Sequence, residues 1–427
     1  MTASVKGNQF TFKTSGYVLI WAAFYLFALL SPQLRVLKGN SDFLDKYTAG
    51  QLLLRGQSRQ LYDIEVQRQA QRRVLSSLNS DVEFAGGLLL FSHPPFVALL
   101  YGAVAWLSYV QAFLVWNLAS ALCFGAAIAK LVRHYRIESS TGLERLSLAG
   151  LMYLPVSAAL LQGQNTSVAF LCLVLAFLSF KRRDEFRAGL WLSLVLMKFQ
   201  ILPLFLLLLL VKRRAVALLG FLAGGFLLGV VSLLVVGPTG LSGYLKVLER
   251  VSGWVGLYGV NPIGANCLRG QMYLLFYKDM PDIVFVTTLL FSTAFVTVVL
   301  LSWRGAWQPE SDSFDLKFAL LVVVGLLIAP QINFHDLAFL LYPGVTLLHR
   351  SLRDLKHLSA QWIVFIVGFP LQILTFISLP IVPIQFNVIG LILLTIVLLN
   401  AVRSGGSAVF DHPNQLDSCR TIEVAGK

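Results

Sequence analysis

Apolar runs recur along this chain at near-regular spacing, and short polar stretches separate them. A helix needs about 20 predominantly apolar residues to cross a bilayer. The segments 218–236, 284–302 and 386–402 meet that length without a charge. Further apolar segments lie at 16–30, 94–109, 111–132, 146–161, 165–180, 186–211, 316–332, 335–348 and 360–378. The pattern predicts an all-α polytopic membrane protein with about 12 transmembrane helices, roughly 11–13. Segment 186–211 carries Lys198, Gln200 and Pro203 near its middle. It reads either as one kinked span or as two short ones, because a broken helix at membrane depth must find protein or water for its freed backbone groups.

The separators predict the rest of the organisation. The first run exits through Ser31-Pro-Gln33 with no small-residue cleavage pattern, so it reads as an uncleaved helix with a cytoplasmic N-terminus. A polar first loop follows over 32–92. Within it Phe43, Tyr47, Leu52, Leu53 and Leu54 alternate with polar residues, which predicts an amphipathic helix lying at the membrane interface. A second polar helix is expected over 64–77. A second long loop covers 237–281. Residues 1–402 form one membrane domain, and the Gly/Ser-rich 403–427 reads as a disordered cytoplasmic tail.

Composition agrees. The chain is 57% hydrophobic and 13% charged, against about 25% charged in a soluble domain. Its formal charge of +13 falls in short clusters between apolar runs, which is the positive-inside pattern and not a nucleic-acid stripe. The clusters Lys212-Arg213-Arg214 and 349–357 are assigned to the cytoplasm. That places 237–281, Gln331–Asp336 and the first loop on the other side. The cluster Lys181-Arg182-Arg183 is non-cytoplasmic if 186–211 crosses once. If it crosses twice, the cluster is cytoplasmic and one earlier apolar segment must fail to cross. Cys123, Cys172, Cys267 and Cys419 show neither CxxC nor metal-ligand spacing, so no disulfide framework and no zinc site is expected.

Candidate chemistry gathers on the non-cytoplasmic side: Asp42 and Asp45, Arg269 within Asn266-Cys-Leu-Arg-Gly270, and Asn333-Phe-His335-Asp336. Each has an ordinary alternative in a solvated loop carboxylate, a head-group contact or a helix cap. Two features are harder to set aside. Gln162-Gly-Gln-Asn165 interrupts an apolar stretch with three amides, and Lys198 places an ionisable group at membrane depth, where charge is costly and marks functional cavities.

At these residues a resemblance becomes usable. Asp42-Phe-Leu-Asp-Lys-Tyr47-Thr-Ala-Gly50, Leu54-Arg-Gly56 and Leu61-Tyr62-Asp63 resemble the opening of family 87 glycosyltransferases. His93-Pro94-Pro95-Phe96 is similar to their Tyr-Pro-Pro-Phe element, with His for Tyr. Gly163-Gln-Asn165 resembles Gly-Gln-x-Asn, and Lys198-Phe199 resembles Lys-Pro. Asn266 to Gly270 resembles Asn-x-Ser-Leu-Arg-Gly, and Pro330 to Leu337 resembles Ser-Pro-x-Ser-x-His-Asp. The shared order covers roughly residues 40–350.

The resemblance implies a GT-C-like membrane enzyme of a bacterial-type cytoplasmic membrane with its site on the non-cytoplasmic face. It implies transfer of a hexose, mannose above others, from a polyprenyl-phosphate sugar to a lipid or glycan acceptor with inversion at the anomeric carbon. Asp42 is then the expected general base, with Asp45 as second choice and His335 beside them. Lys198 and Arg269 suit the lipid phosphate, and His93, Gln164, Asn165, Asn266 and Asp336 are expected to bind substrate. No acidic cluster calls for a divalent ion, so no cofactor is expected. The alternative reading is a transporter or lipid flippase, for which one broken segment without a matching partner is thin support.

Overall fold

The structure, a computed structural model, describes residues 23, 25–136, 153–252, 264–276, 280–353, 370–378 and 381–407. Among them every regular element is helical. The first loop folds into α1 (Phe43–Leu54), α2 (Ile64–Ser77) and α3 (Pro95–Gly102). Asp63 starts α2 by accepting the N–H groups of Glu65 and Val66 at 2.8 and 3.0 Å. That helix buries Gln67, Ala70, Gln71 and Val74, one face at helical spacing. The two buried amides hold the irregular stretch that follows. Gln71 Nε2 donates to Leu89 O, Leu89 N–H donates back to Gln71 Oε1, and Phe91 N–H donates to Gln67 Oε1. Without such side-chain partners this backbone would be buried unpaired.

Two expectations change here. Helix α1 does not present an amphipathic outer face; it is buried on nearly every side. Gly50 lets it reach the backbone of α3, where a Cβ would stand 2.7 Å from Gly102 N. The apolar segment 94–109 packs as part of the first loop. Its helix, α3, has eight residues and is about 12 Å long. Both of its flanks stay tied to the first loop: Tyr62 Oη donates to His93 O and Tyr47 Oη to Leu107 O.

The bundle follows with α4 (Tyr109–His134), α5 (Leu154–Leu161), α6 (Thr166–Lys181), α7 (Glu185–Leu194), a 3-10 turn (Val195–Ile201), α8 (Leu202–Val211) and α9 (Ala215–Ser252). Then come α10 (Leu268–Phe276), α11 (Pro281–Ser302), α12 (Asp312–Ile328), a 3-10 turn (Phe334–Leu340), α13 (Leu341–Arg353), α14 (Pro370–Ser378) and α15 (Phe386–Ser407). Among the described residues five stretches are long and apolar enough to cross a bilayer: Tyr109–His134, Glu185–Val211, Ala215–Ser252, Pro281–Ser302 and Phe386–Ser404. That is fewer than the expected dozen long spans. Interior helices such as α6 and α12 are covered by neighbours and need no full-length apolar surface. The outer helices expose theirs, with Phe226 at 75%, Leu234 at 80% and Phe285 at 68%. Such a surface belongs in lipid, and the protein is an integral membrane protein.

Segment 185–211 resolves as a hairpin. Its beginning and its end meet, because Arg214 pairs with Glu185. Lys212 Nζ donates to Gly305 O and Arg183 pairs with Glu310, so both ends sit against the same 305–310 linker. Helices α7 and α9 then run parallel. A Cβ on Gly220 would stand 2.1 Å from Phe186 O, and one on Gly224 would stand 2.1 Å from Ser193 Oγ. Small residues allow this close approach. Two parallel helices joined through α8 require α8 to return. The clusters Lys181–Arg183 and Lys212–Arg214 therefore share one end of the bundle.

The described residues of the loop expected at 237–281 are largely helical. Gly237 (φ 67°, ψ 178°) breaks α9, and Pro238 restarts it with a preset φ, so helix continues to Ser252. At the other end α15 continues to Ser407, past the expected start of the tail. Residues 1–22, 137–152, 354–369 and 408–427 lie outside the described residues. With them lie most of the first apolar run, Lys356, His357, the remaining tail and Cys419.

Candidate active site

One cavity of about 360 Å³ opens among α1, the 162–165 turn, the α7–α8 turn, the end of α9, Arg269 and the 330–336 segment. Asp42, Asp45, His93, Gln164, Lys198, Arg269, His335 and Asp336 all line it. These residues come from across most of the chain, and six pieces of backbone carry them.

Helix α1 and the 162–165 turn are locked together first. Ser41 Oγ donates to Leu161 O, and Asp42 N–H donates to Gln162 Oε1. Gly163 permits the contact: its φ is +52°, and a Cβ there would lie 2.6 Å from the Phe43 Cβ. Tyr101 Oη donates to Gly163 O and Trp116 Nε1 to Gln164 O, which hold the turn from behind. Asp42 occupies the N-cap position of α1, yet its carboxylate makes no capping bond. Its Oδ2 instead accepts from Gln164 Nε2 at 2.6 Å.

Gln164 passes the connection on, because its Oε1 accepts from Lys198 Nζ at 3.3 Å. Lys198 sits where α7 gives way to a 3-10 turn, with its own backbone outside the helical region (φ −131°, ψ 51°). Its ammonium lies 2.7 Å from Asp336 Oδ1 and 3.4 Å from His335 Nε2. The three N–H directions of a lysine thus meet an amide, a carboxylate and an imidazole. Asp336 also accepts from Thr166 Oγ1 on Oδ1 and from Asn333 N–H on Oδ2. It is spent on holding Lys198 and its own turn.

On the α1 side, Asp42, Asp45 and Lys46 fall at i, i+3 and i+4 and so share one face. Lys46 is 1% exposed. Its Nζ donates to Asp42 O at 2.9 Å and to Asp45 Oδ1 at 3.0 Å. Burial raises the Asp45 carboxyl to about 6, against the lowering pull of Lys46. Burial, with Lys46 and Lys198 close by, holds the His93 imidazole well below its usual range. Across the cavity Arg269 is half-buried, and its Nη2 donates to Ser252 O at 3.0 Å.

A profile of glycosyltransferase family 87 matches residues 91–330, more than half of the chain. The chain belongs to glycosyltransferase family 87. Comparisons with curated proteins and with solved structures returned no match.

The matched stretch of this glycosyltransferase contains His93, Gln164, Lys198 and Arg269, but neither Asp42 nor His335. The fold brings those two to the same cavity from outside it. Two expected substrate residues are displaced. Asn266 is buried beneath the cavity, where its Oδ1 accepts from Asn387 Nδ2 and its Nδ2 donates to Gly264 O. Asn165 is fully buried, and neither atom of its amide has a hydrogen-bond partner. Lys46 was missed in the sequence, although it stands four residues after Asp42 on a helix of buried neighbours. Among the described residues no group of three or more His, Cys, Asp or Glu side chains is placed to hold a metal ion.

Proposed function

We propose that this glycosyltransferase moves a hexose, mannose above others, from a polyprenyl-phosphate carrier to an acceptor hydroxyl at the cavity, with inversion. The observation that carries the reading is the continuous chain Asp42–Gln164–Lys198–Asp336/His335 along one wall, with Arg269 on the same cavity. In this mechanism the acceptor O–H attacks the anomeric carbon while the bond from that carbon to the phosphate oxygen breaks. Asp42 takes the acceptor proton, and the polyprenyl phosphate leaves carrying the charge. A base in hydrogen-bond reach of the attacking hydroxyl accelerates such a step by about 10²–10⁴.

The cations answer the leaving group. Lys198 and Lys46 are held in place by carboxylates, so they act as fixed charges beside the developing phosphate. Arg269 offers the planar fork that matches phosphate oxygens. His335 and His93 remain for hydroxyls of sugar or acceptor. These fixed cations supply the charge stabilisation, and the reaction is proposed to run without a divalent ion. The acceptor is a lipid or glycan, and the cavity faces the non-cytoplasmic side of the cytoplasmic membrane. In topology the reading places the first apolar run, α4 to α9, α11 to α13, the 360–378 segment and α15 as the passages through the bilayer. The transporter reading gives way to the family assignment.

The direct test incubates purified protein with a panel of polyprenyl-phosphate sugars and an excess of chelator, and follows release of polyprenyl phosphate. Turnover of the mannosyl donor in chelator supports the proposal; turnover of none of the panel sinks the donor class. The role of Asp45 can be read from pH. Asp45 titrates near 6, so below that pH it is protonated and Lys46 loses its counter-charge beside Asp42. Transfer is expected to fall as pH drops through about 6, and Asp45→Asn, neutral at every pH, is expected to show that lowered rate already at neutral pH and so to erase the limb. A pH–rate profile of Asp45→Asn that matches the wild type would remove Asp45 from this role.

A further inference from the structure

At the end of the bundle away from the transfer cavity lies a second cavity of about 400 Å³. Arg183, Glu185, Arg214, Val216, Trp307 and Pro309 line it. It sits where the α6–α7 turn, the α8–α9 turn and the α11–α12 linker meet. Part of its charge is already paired, Arg214 with Glu185 and Arg183 with Glu310. Two lining donors are not. Arg214 Nε and Trp307 Nε1 are buried and have no hydrogen-bond acceptor. Trp303, stacked on Trp307 at 5.0 Å, also has an unpaired Nε1. A buried donor without an acceptor costs about 1–3 kcal/mol. Two such donors belong to side chains that line one cavity, where the Arg214 guanidinium lies over the Trp307 ring at 5.5 Å. The surrounding segments 181–187, 212–214 and 304–317 carry nine Lys and Arg against five Asp and Glu.

We propose that this cavity holds the phosphate of an anionic phospholipid, in the leaflet opposite the transfer cavity. The donor set alone would also accept free phosphate. The flank of the cavity argues for a lipid. Val216 lines the cavity, and it is 53% exposed. Leu219 on the same helix is 60% exposed, and Leu210 and Val211, at the end of α8, are 59% and 53%. A phosphate in the cavity therefore has an apolar surface beside it for acyl chains. Tryptophans at this depth suit the head-group boundary, and basic pockets between helices on one leaflet suit anionic head groups. The bound lipid would join the two ends of the α7–α8 hairpin to the linker, and so brace the hairpin that carries Lys198.

The test is native mass spectrometry of the full-length protein titrated separately with phosphatidylglycerol, phosphatidylcholine and inorganic phosphate. Wild type is expected to retain phosphatidylglycerol over phosphatidylcholine. Trp307→Phe keeps the ring and deletes only the Nε1 donor. Arg214→Lys keeps the charge facing Glu185 and deletes Nε. Each is expected to weaken phosphatidylglycerol retention about tenfold, the loss of one hydrogen bond to a charged group. Thermal unfolding of the two variants without added lipid serves as the folding control. Equal retention of the two lipids, or unchanged retention in both variants, overturns the proposal. Binding of inorganic phosphate with no preference for phosphatidylglycerol overturns the lipid assignment in favour of a soluble anion.

Discussion

Asp42→Asn is expected to lower the turnover number by about two to four orders of magnitude, the usual worth of a positioned base. The substitution preserves shape. An asparagine carbonyl at position 42 can still accept from Gln164 Nε2, so the junction of α1 with the 162–165 turn should survive. The Asp42 backbone N–H also remains bonded to Gln162 Oε1. Donor KM should therefore stay near the wild-type value while kcat collapses, which marks an interaction used at the transition state and not in binding. Steady-state kinetics with a single lipid-linked donor measures both quantities. Retained kcat in Asp42→Asn would show that the acceptor proton goes elsewhere, and Asp45, one helical turn along the same face, would be the next group to examine.

Lys198→Met carries the second large effect, and it is double. The change leaves Asp336, only 2% exposed, without the ammonium 2.7 Å away. Removing one partner of a buried ion pair costs about 3–5 kcal/mol. The variant should unfold at a markedly lower temperature and also lose use of the phosphate donor. Stability and chemistry can be separated. In Lys198→Met with Asp336→Asn the buried charge is gone, so most of the stability should return. Sugar transfer should not return, because the fixed cation beside the leaving phosphate is still missing. Thermal unfolding and turnover of the two variants and the pair decide this. Recovery of both stability and activity in the double variant would reduce Lys198 to a structural role.

The same residues show how function and fold are entangled here. Lys198 exists at membrane depth because α7 breaks there, and the break is tolerated because the turn is enclosed by protein. Pro203 in the first turn of α8 lacks an N–H that the helix start would leave unpaired anyway. The hairpin thus delivers a cation to the cavity and returns to its starting face. There Glu185 and Arg214 fasten it.

Hydrophobic patterning by itself determined that this chain is a helical membrane protein, because no soluble surface can be built from so few charges. It also located α2 within 64–77, where Asp63 starts the helix and polar residues alternate with a buried face. Single residues stood out for a local reason: a lysine, three amides and a His-Asp pair in apolar surroundings are costly wherever they end up. Local patterning did not determine which apolar segments cross. Length and hydropathy are the same for a stretch that spans and one that packs inside, and it is the contacts of Tyr47, Gly50 and Tyr62 that show α3 staying with the first loop. Nor did it separate Asn266, which braces α15, from Arg269 three residues on, which reaches the cavity. Asp42, Arg269 and His335, first read as sharing one membrane face, line one cavity. What only the tertiary structure decided is their order of contact, Asp42 to Gln164 to Lys198 to Asp336, because that order depends on hydrogen bonds between segments far apart in the chain.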